Sequence, residues 1–384
     1  MRFEFATATR ILFGESTLKE VGPAAIEMGR KALVVSGLSE ERAETLLKIL
    51  TGSEIGYGLY QVSHEPTTDL IKQGVEQARR EDCDLVIGFG GGSAVDSAKA
   101  IAALLTNPGD PLDYLEVVGR GHPLVNPPLP FIAIPTTAGT GAEVTRNAVL
   151  EVPEKNVKVS LRSPLMLSRL ALVDPELTYS LPKDVTASTG LDALTQLIES
   201  FVTFQSNPLT DGLCREGLLR AGRSLQRAFE QGDDPAARRD MSLASLLGGL
   251  ALANAKLGAV HGFAGPLGGM FPAPHGAICA RLLPYVMETN VHALQQRAAE
   301  SAALARYDEV AQILTTNRKA RAQDGVAWVH SLCTALDVPG LSTYGVAHAH
   351  FTELIEKSAR ASSMKGNPIK LTEQEMKAIL ARAL

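Results

Sequence analysis

An α/β N-terminal domain joined to an all-helical C-terminal domain is the architecture this sequence predicts, and three observations predict it. From residue 31 to about 135, short β-branched runs alternate with helical patterns, which is how a parallel sheet with crossover helices reads. Beyond Asp174-Pro175-Glu176-Leu177 the alternation stops and long helix-favouring stretches take over. At 384 residues the chain exceeds what one hydrophobic core usually serves, so two domains are expected.

Four strands follow from the apolar runs at 31–36, 55–62, 85–89 and 131–134, with helices near 40–50, 67–80 and 94–105 between them. Proline-rich 107–130 makes a long connection. The domain boundary is placed near Leu181-Pro182, where proline ends one segment and Asp184 can cap the next helix, giving domains 1–181 and 182–384. Helical stretches are expected at 186–204, 209–231, 237–254, 276–316 and 321–336, broken by Gly and Pro. A capping-box pattern from Thr372 to Glu375 opens a final docked helix over 371–380.

Composition excludes several function classes. Hydrophobic residues at 45%, charged residues at 21% and a formal charge of -5 are ordinary for a globular protein and give no reason to expect nucleic acid. Cys83, Cys214, Cys279 and Cys333 show no C-x-x-C spacing and read as small buried apolar residues, which fits a reducing cytoplasm. The N-terminus builds no signal-peptide core, and no apolar run reaches the roughly 18 residues a membrane span needs, so no membrane partner is expected.

Chemistry enters at 83–96, where an apolar strand runs into Gly90-Gly91-Gly92-Ser93 and straight on into a helix. Glycines let backbone N–H groups crowd against an anion, and the unpaired amides of the helix's first turn add about half a positive charge, so a nucleotide phosphate is the ligand to test. Tight packing alone also recruits glycine at such turns. A second polar loop, Pro135-Thr136-Thr137-Ala138-Gly139-Thr140-Gly141-Ala142-Glu143, follows the neighbouring strand, and ligands of open parallel sheets sit at those ends. Farther on, Asp192 and Gln196 stand at i and i+4 of one helix, and His261 and His275 flank a Gly/Pro-rich stretch. One carboxylate and two imidazoles suit Zn²⁺ or Fe²⁺ with an open position. Taken as residues alone, the two histidines fit satisfied structural roles better than a metal site, and Asp192 fits a surface or capping role equally well.

In order, Gly90-Gly91-Gly92-Ser93-Ala94-Val95-Asp96-Ser97-Ala98-Lys99, the Pro135 to Thr145 stretch, Leu172-Val173-Asp174-Pro175, Gly190-Leu191-Asp192-Ala193-Leu194-Thr195, His261 to Gly276 and Gly366-Asn367-Pro368 resemble the motifs of the iron-containing (group III) alcohol dehydrogenase family, along the whole chain. That resemblance implies a Rossmann-like domain binding NAD or NADP, a helical domain of the dehydroquinate-synthase-like architecture, a divalent metal in the cleft between them, and a homo-oligomer. It places cofactor contacts on Gly91, Gly92, Ser93, Asp96, Thr136, Thr137, Thr140, Asn147 and Lys158. Metal ligands fall on Asp192, Gln196, His261 and His275, Gln196 being a weaker, neutral amide where the family's helix histidine belongs. Gly265 replaces a further histidine expected near the nicotinamide, and Ala142 replaces the serine after Gly-Thr-Gly.

The expected function is hydride transfer between NAD(P) and a small alcohol or aldehyde, the cation held by Asp192, His261 and His275 acting on the substrate oxygen. Gly37, ending the first strand where NAD-preferring relatives often carry an aspartate, leaves the choice between NAD and NADP open. Gln196 keeps three alternatives alongside: a metal-free reductase of the maleylacetate-reductase kind, a lyase of the dehydroquinate-synthase kind, and a cofactor-binding protein with a decayed metal site.

Overall fold

The structure, a computed structural model, describes residues 2–384. The chain divides into two compact units. The first comprises Ala6–Thr137 and Gly141–Thr178; the second comprises Tyr179–Leu384 with Ala138–Thr140 and the N-terminal residues up to Phe5.

The first unit is built on β1 (Ile11–Phe13), β2 (Lys31–Ser36), β3 (Gly56–Gln61), β4 (Leu85–Gly90), β5 (Phe131–Pro135) and β8 (Leu170–Val173), a parallel sheet in the order β1-β8-β5-β4-β2-β3. Its helices are α1 (Val21–Ile26), α2 (Glu40–Gly52), α3 (Thr68–Arg80), α4 (Gly92–Thr106) and the short α5 (Pro111–Tyr114). Strands β4 and β5 are buried along their whole length, as continuous apolar runs must be when helices cover both faces. Alternate residues feed two cores: Leu33, Val35 and Val86 pack with Ile71, Val75 and Ile101 of α3 and α4. On the other face Val34, Ile87 and Phe89 pack with Leu46 and Leu50 of α2. After β2 the chain turns to β3, and after β4 it turns the opposite way to β5, so the strand order reverses between β2 and β4. A crevice at such a reversal is where open α/β sheets take their ligands.

Two sheet strands and both strands of a hairpin lie outside the four that periodicity predicts. β1 and β8 have three and four residues, too short to show a pattern. β6 (Asn147–Val152) and β7 (Val157–Arg162) form an antiparallel hairpin apart from the main sheet. β6 alternates, with Ala148, Leu150 and Val152 buried, so its period-two signal was present. Asp174, from one of the family-like motifs, accepts bonds from the Leu18 and Ser16 amides at 3.0 and 3.2 Å and so anchors the turn after β1.

The second unit is helical: α6 (Lys183–Val202), α7 (Pro208–Glu230), α8 (Pro235–Asn254), α9 (Ala259–Met270), α10 (His275–Arg297), α11 (Ala302–Thr315), α12 (Ala322–Ala335), α13 (Phe351–Arg360) and α14 (Glu373–Ala383). One expected stretch, 276–316, is two helices; Ser301 caps the second by accepting from the Ala303 amide at 3.3 Å. Asp184 does not cap α6, whose N-cap is Pro182; it sits in the first turn, where its charge still suits the helix dipole. Thr372 and Glu375 form the expected reciprocal capping box of α14. Among the described residues no single helix is long and apolar enough to cross a membrane.

Candidate active site

The loop after β4 is shaped by close backbone approach. Gly90 has φ +154°, and a Cβ there would stand 2.9 Å from the Gly37 nitrogen and 2.8 Å from the Ala94 Cβ, so only glycine fits. Gly37, just past β2, donates its amide to Phe89 O at 3.0 Å, which brings the two strand ends at the reversal point together. Gly91 is the N-cap of α4 and brings no capping side chain to the first-turn amides. A Cβ on Gly91 would face the Thr137 side chain at 3.4 Å, and Thr136 donates to Gly90 O at 2.9 Å. Gly91 therefore lies against Thr137 at the start of α4, where the first-turn amides of Gly92 and Ser93 lack a capping side chain and suit a phosphate.

Lys99, one of the largest fully buried side chains of the unit, fixes the second loop to α4. Its ammonium donates to Ala142 O at 2.8 Å, Asn147 O at 2.7 Å, and Thr145 O and Oγ1 at 3.1 and 3.0 Å. Burial pulls its ammonium down, opposed by the charges of Asp96 and Glu143. Asp96 holds the hairpin: its Oδ2 accepts from the Val149 amide at 2.9 Å, while Oδ1 lies 3.6 Å from Lys99 Nζ. Asn147 opens β6, and Lys158, on β7, lies with its Nζ 3.6 Å from Glu65. Thr140 belongs to the segment that clusters with the helical unit, where Gly139 abuts Thr189; a Cβ on that glycine would lie 2.7 Å from Thr189 Cβ.

The helical unit gathers the other predicted residues. Asp192 and Gln196 lie buried on α6, His261 in the first turn of α9, and His275 at the start of α10. Close helix approach makes this possible: a Cβ on Gly276 would sit 2.6 Å from Ser188 O, so glycine beside His275 lets α10 begin against α6. His261 Nε2 is 3.4 Å from Asp192 Oδ1 and His275 Nε2 is 3.9 Å from the same oxygen. Asp192 Oδ1 and Gln196 Oε1 are buried with no hydrogen-bond partner among the described residues, and Gln196 Nε2 reaches Asp192 Oδ2 only at 3.5 Å. A buried carboxylate oxygen left unpaired is costly unless a cation meets it, so the residues fit a divalent metal.

Three residues have roles at this site that the sequence did not assign. Glu199, one further turn along α6, accepts from the Val260 amide at 2.7 Å and contacts His261 Nδ1 at 2.7 Å. It thereby serves the N-terminus of α9 while directing His261 Nε2 toward Asp192, the carboxylate–histidine arrangement that supports metal ligands. Asn367 completes that helix start, its Oδ1 accepting from the Ala259 amide at 3.1 Å. Cys279, read from sequence as a buried apolar residue, is buried, but its Sγ stands 3.6 Å from His275 Nε2 and 3.9 Å from His261 Nε2. Glu199 is seven residues from Asp192 on the same helix and Cys279 four from His275, spacings that share a helix face but assign neither residue a role.

The charges of this cluster act strongly on one another. Burial alone would raise the Asp192 carboxyl, but the His261 and His275 imidazoles outweigh it and hold it below its ordinary value. Burial would likewise lower the imidazoles, yet Cys279 and Asp192 push His275 up to about 9, and the same groups with Glu199 raise His261 well above its usual value.

Along its whole length the chain is similar to known proteins. Residues 8–175 match the profile described as iron-containing alcohol dehydrogenase, and 186–384 match that of the Fe-containing alcohol dehydrogenase family, C-terminal. A choline dehydrogenase of Bacillus subtilis (strain 168) is 34% identical over 375 residues, covering 96% of this chain and 92% of the relative. A 1,3-propanediol dehydrogenase of Klebsiella pneumoniae is 32% identical, covering 99% and 98%. The crystal structure of a 1,3-propanediol oxidoreductase superposes with a TM-score of 0.92 at 32% identity over 100% of both chains. The chain belongs to the iron-containing alcohol dehydrogenase family.

Proposed function

We propose that the α/β unit holds the dinucleotide and the helical unit holds the cation and substrate oxygen, assigning the roles expected of 1–181 and 182–384. The chain is an NAD(P)-dependent oxidoreductase that interconverts an alcohol and its aldehyde or ketone. Support for the cation comes above all from Asp192 Oδ1, buried and unpaired between two imidazole nitrogens.

A divalent cation there, zinc or iron, would supply Lewis-acid polarisation of the substrate oxygen while nicotinamide supplies or accepts the hydride. The protein's part is positioning. Asp192, His261 and His275 present three donors from three helices, and Glu199 fixes the tautomer and aim of His261. The first-turn amides at Gly92 and Ser93 receive the pyrophosphate, with Thr136 and Thr137 along its edge. Lys99 keeps the loop carrying Ala142, Thr145 and Asn147 in register with that helix, so both cofactor loops move as one body. Glycine at position 37 leaves room for either a ribose hydroxyl or a 2′-phosphate. The substrate is a small alcohol or aldehyde, and the working assembly is a homo-oligomer.

The test is NADH and NADPH oxidation with a panel of aldehydes, before and after zinc or iron is restored to chelator-treated protein. Metal-dependent turnover is expected; full turnover in exhaustively demetallated protein would overturn this reading.

A further inference from the structure

The family-like ligand set is one donor short, because Gln196 stands where an imidazole is expected, and the structure offers a replacement from another helix. Cys279 lies one turn into α10, directly above His275, and its sulfur joins Asp192, His261 and His275 in a group whose four donor atoms all lie within 4.8 Å of one another. A tetrahedral zinc with bonds of about 2.0 Å to nitrogen or oxygen and 2.3 Å to sulfur has its donors about 3.3–3.7 Å apart. The observed separations cluster around that range: 3.4 Å for His261 Nε2 to Asp192 Oδ1, 3.6 Å for Cys279 Sγ to His275 Nε2, and 3.9 Å for both Cys279 Sγ to His261 Nε2 and His275 Nε2 to Asp192 Oδ1.

Ordinary packing does not account for this arrangement. A thiol has one weak proton to donate and two imidazole nitrogens face it, while the buried Asp192 Oδ1 beside them stays unpaired. The amide at 196 is the weaker donor: its Nε2 reaches Asp192 Oδ2 only at 3.5 Å, and its Oε1, buried without a partner among the described residues and 3.4 Å from the Cβ position of Gly248, is a neutral oxygen that suits zinc less well than a thiolate.

We propose that Cys279, as a thiolate, is the fourth protein ligand of the cation in this chain, taking the place that Gln196 has vacated, and that this soft donor shifts the site from iron toward zinc. The proposal rests on the metal reading given above and adds to it the identity of a ligand. Four protein donors fill a tetrahedron, so a substrate oxygen enters by expansion to five ligands, which zinc tolerates.

Zinc K-edge absorption spectroscopy of the zinc-loaded full chain tests it without recourse to activity. The expected spectrum contains one sulfur scatterer at about 2.3 Å beside lighter ligands at about 2.0–2.1 Å. Cys279→Ser should lose the sulfur shell and bind zinc at least about 100-fold more weakly, beyond the 10–100-fold that loss of an outer-shell partner costs, while still binding dinucleotide. Cys333→Ala, which changes the nearby buried thiol on α12, should keep the shell. Should Cys279→Ser not fold, Cys279→Ala and the wild-type spectrum still decide. A wild-type zinc site with only nitrogen and oxygen neighbours overturns the role of Cys279 and leaves the metal reading standing. Failure of the wild-type chain to bind zinc or any divalent ion overturns both.

Discussion

On the function proposed above, the loop after β4 and the cage formed by α6, α9 and α10 would hold their ligands with different parts of the chain. In the loop, recognition is by backbone: glycines bring N–H groups close, and side chains such as Lys99 and Asp96 only hold the frame. In the cage it would be by side chains, the proposed donors Asp192, His261, His275 and Cys279, whose meeting depends on how three helices pack. A backbone site is hard to alter by single replacements. A side-chain site can lose a donor at one position and regain one from a neighbouring helix, as Gln196 and Cys279 suggest.

If that contrast holds, the cage should fail at single residues. Asp192→Ala is expected to abolish metal retention and lower aldehyde reduction by about 10³-fold or more, the several kcal/mol a Lewis acid contributes, while NADH binding followed by fluorescence is unchanged. In the α/β unit the vulnerable point is the frame. Lys99→Met leaves Asp96 and several carbonyls without their buried partner, so a loss of about 3–5 kcal/mol in urea unfolding and a raised KM for dinucleotide are expected, with metal content intact.

Glu199→Gln sharpens the comparison, because it removes charge from the support of His261 rather than a donor from the cage. Zinc affinity by competition with a chelator should drop about 10–100-fold, with the dinucleotide KM unmoved. The smallest expected effect concerns Glu143, whose carboxyl burial pushes up to about 7 from an ordinary 4.5 despite the opposing charge of Lys99. Between those values the folded chain keeps a proton that the unfolded chain has lost, so stability falls as pH rises through the window and is level above it. Glu143→Gln should therefore unfold like the parent below pH 4.5 and gain about 1–3 kcal/mol above pH 7.

The same contrast explains what could be read from the sequence. β2, β4 and β5 are long apolar runs covered on both faces, and each was legible, as was the glycine turn that must precede α4. β1 and β8, with three and four residues, carry too little pattern to be seen. In the cage, Asp192, His261 and His275 could be named through the family-like motifs. Glu199 and Cys279 could not, since their roles arise only when Gly276 lets α10 close on α6 and Glu199 meets the start of α9. Cysteine also reads as apolar until its neighbours are known.

Anomalous diffraction from crystals grown with zinc and dinucleotide tests the central claim most directly. The account predicts a single strong zinc peak about 2.0–2.3 Å from Asp192 Oδ1, His261 Nε2 and His275 Nε2. A dinucleotide-bound crystal with no zinc at those atoms, or with the peak elsewhere on the chain, would contradict it.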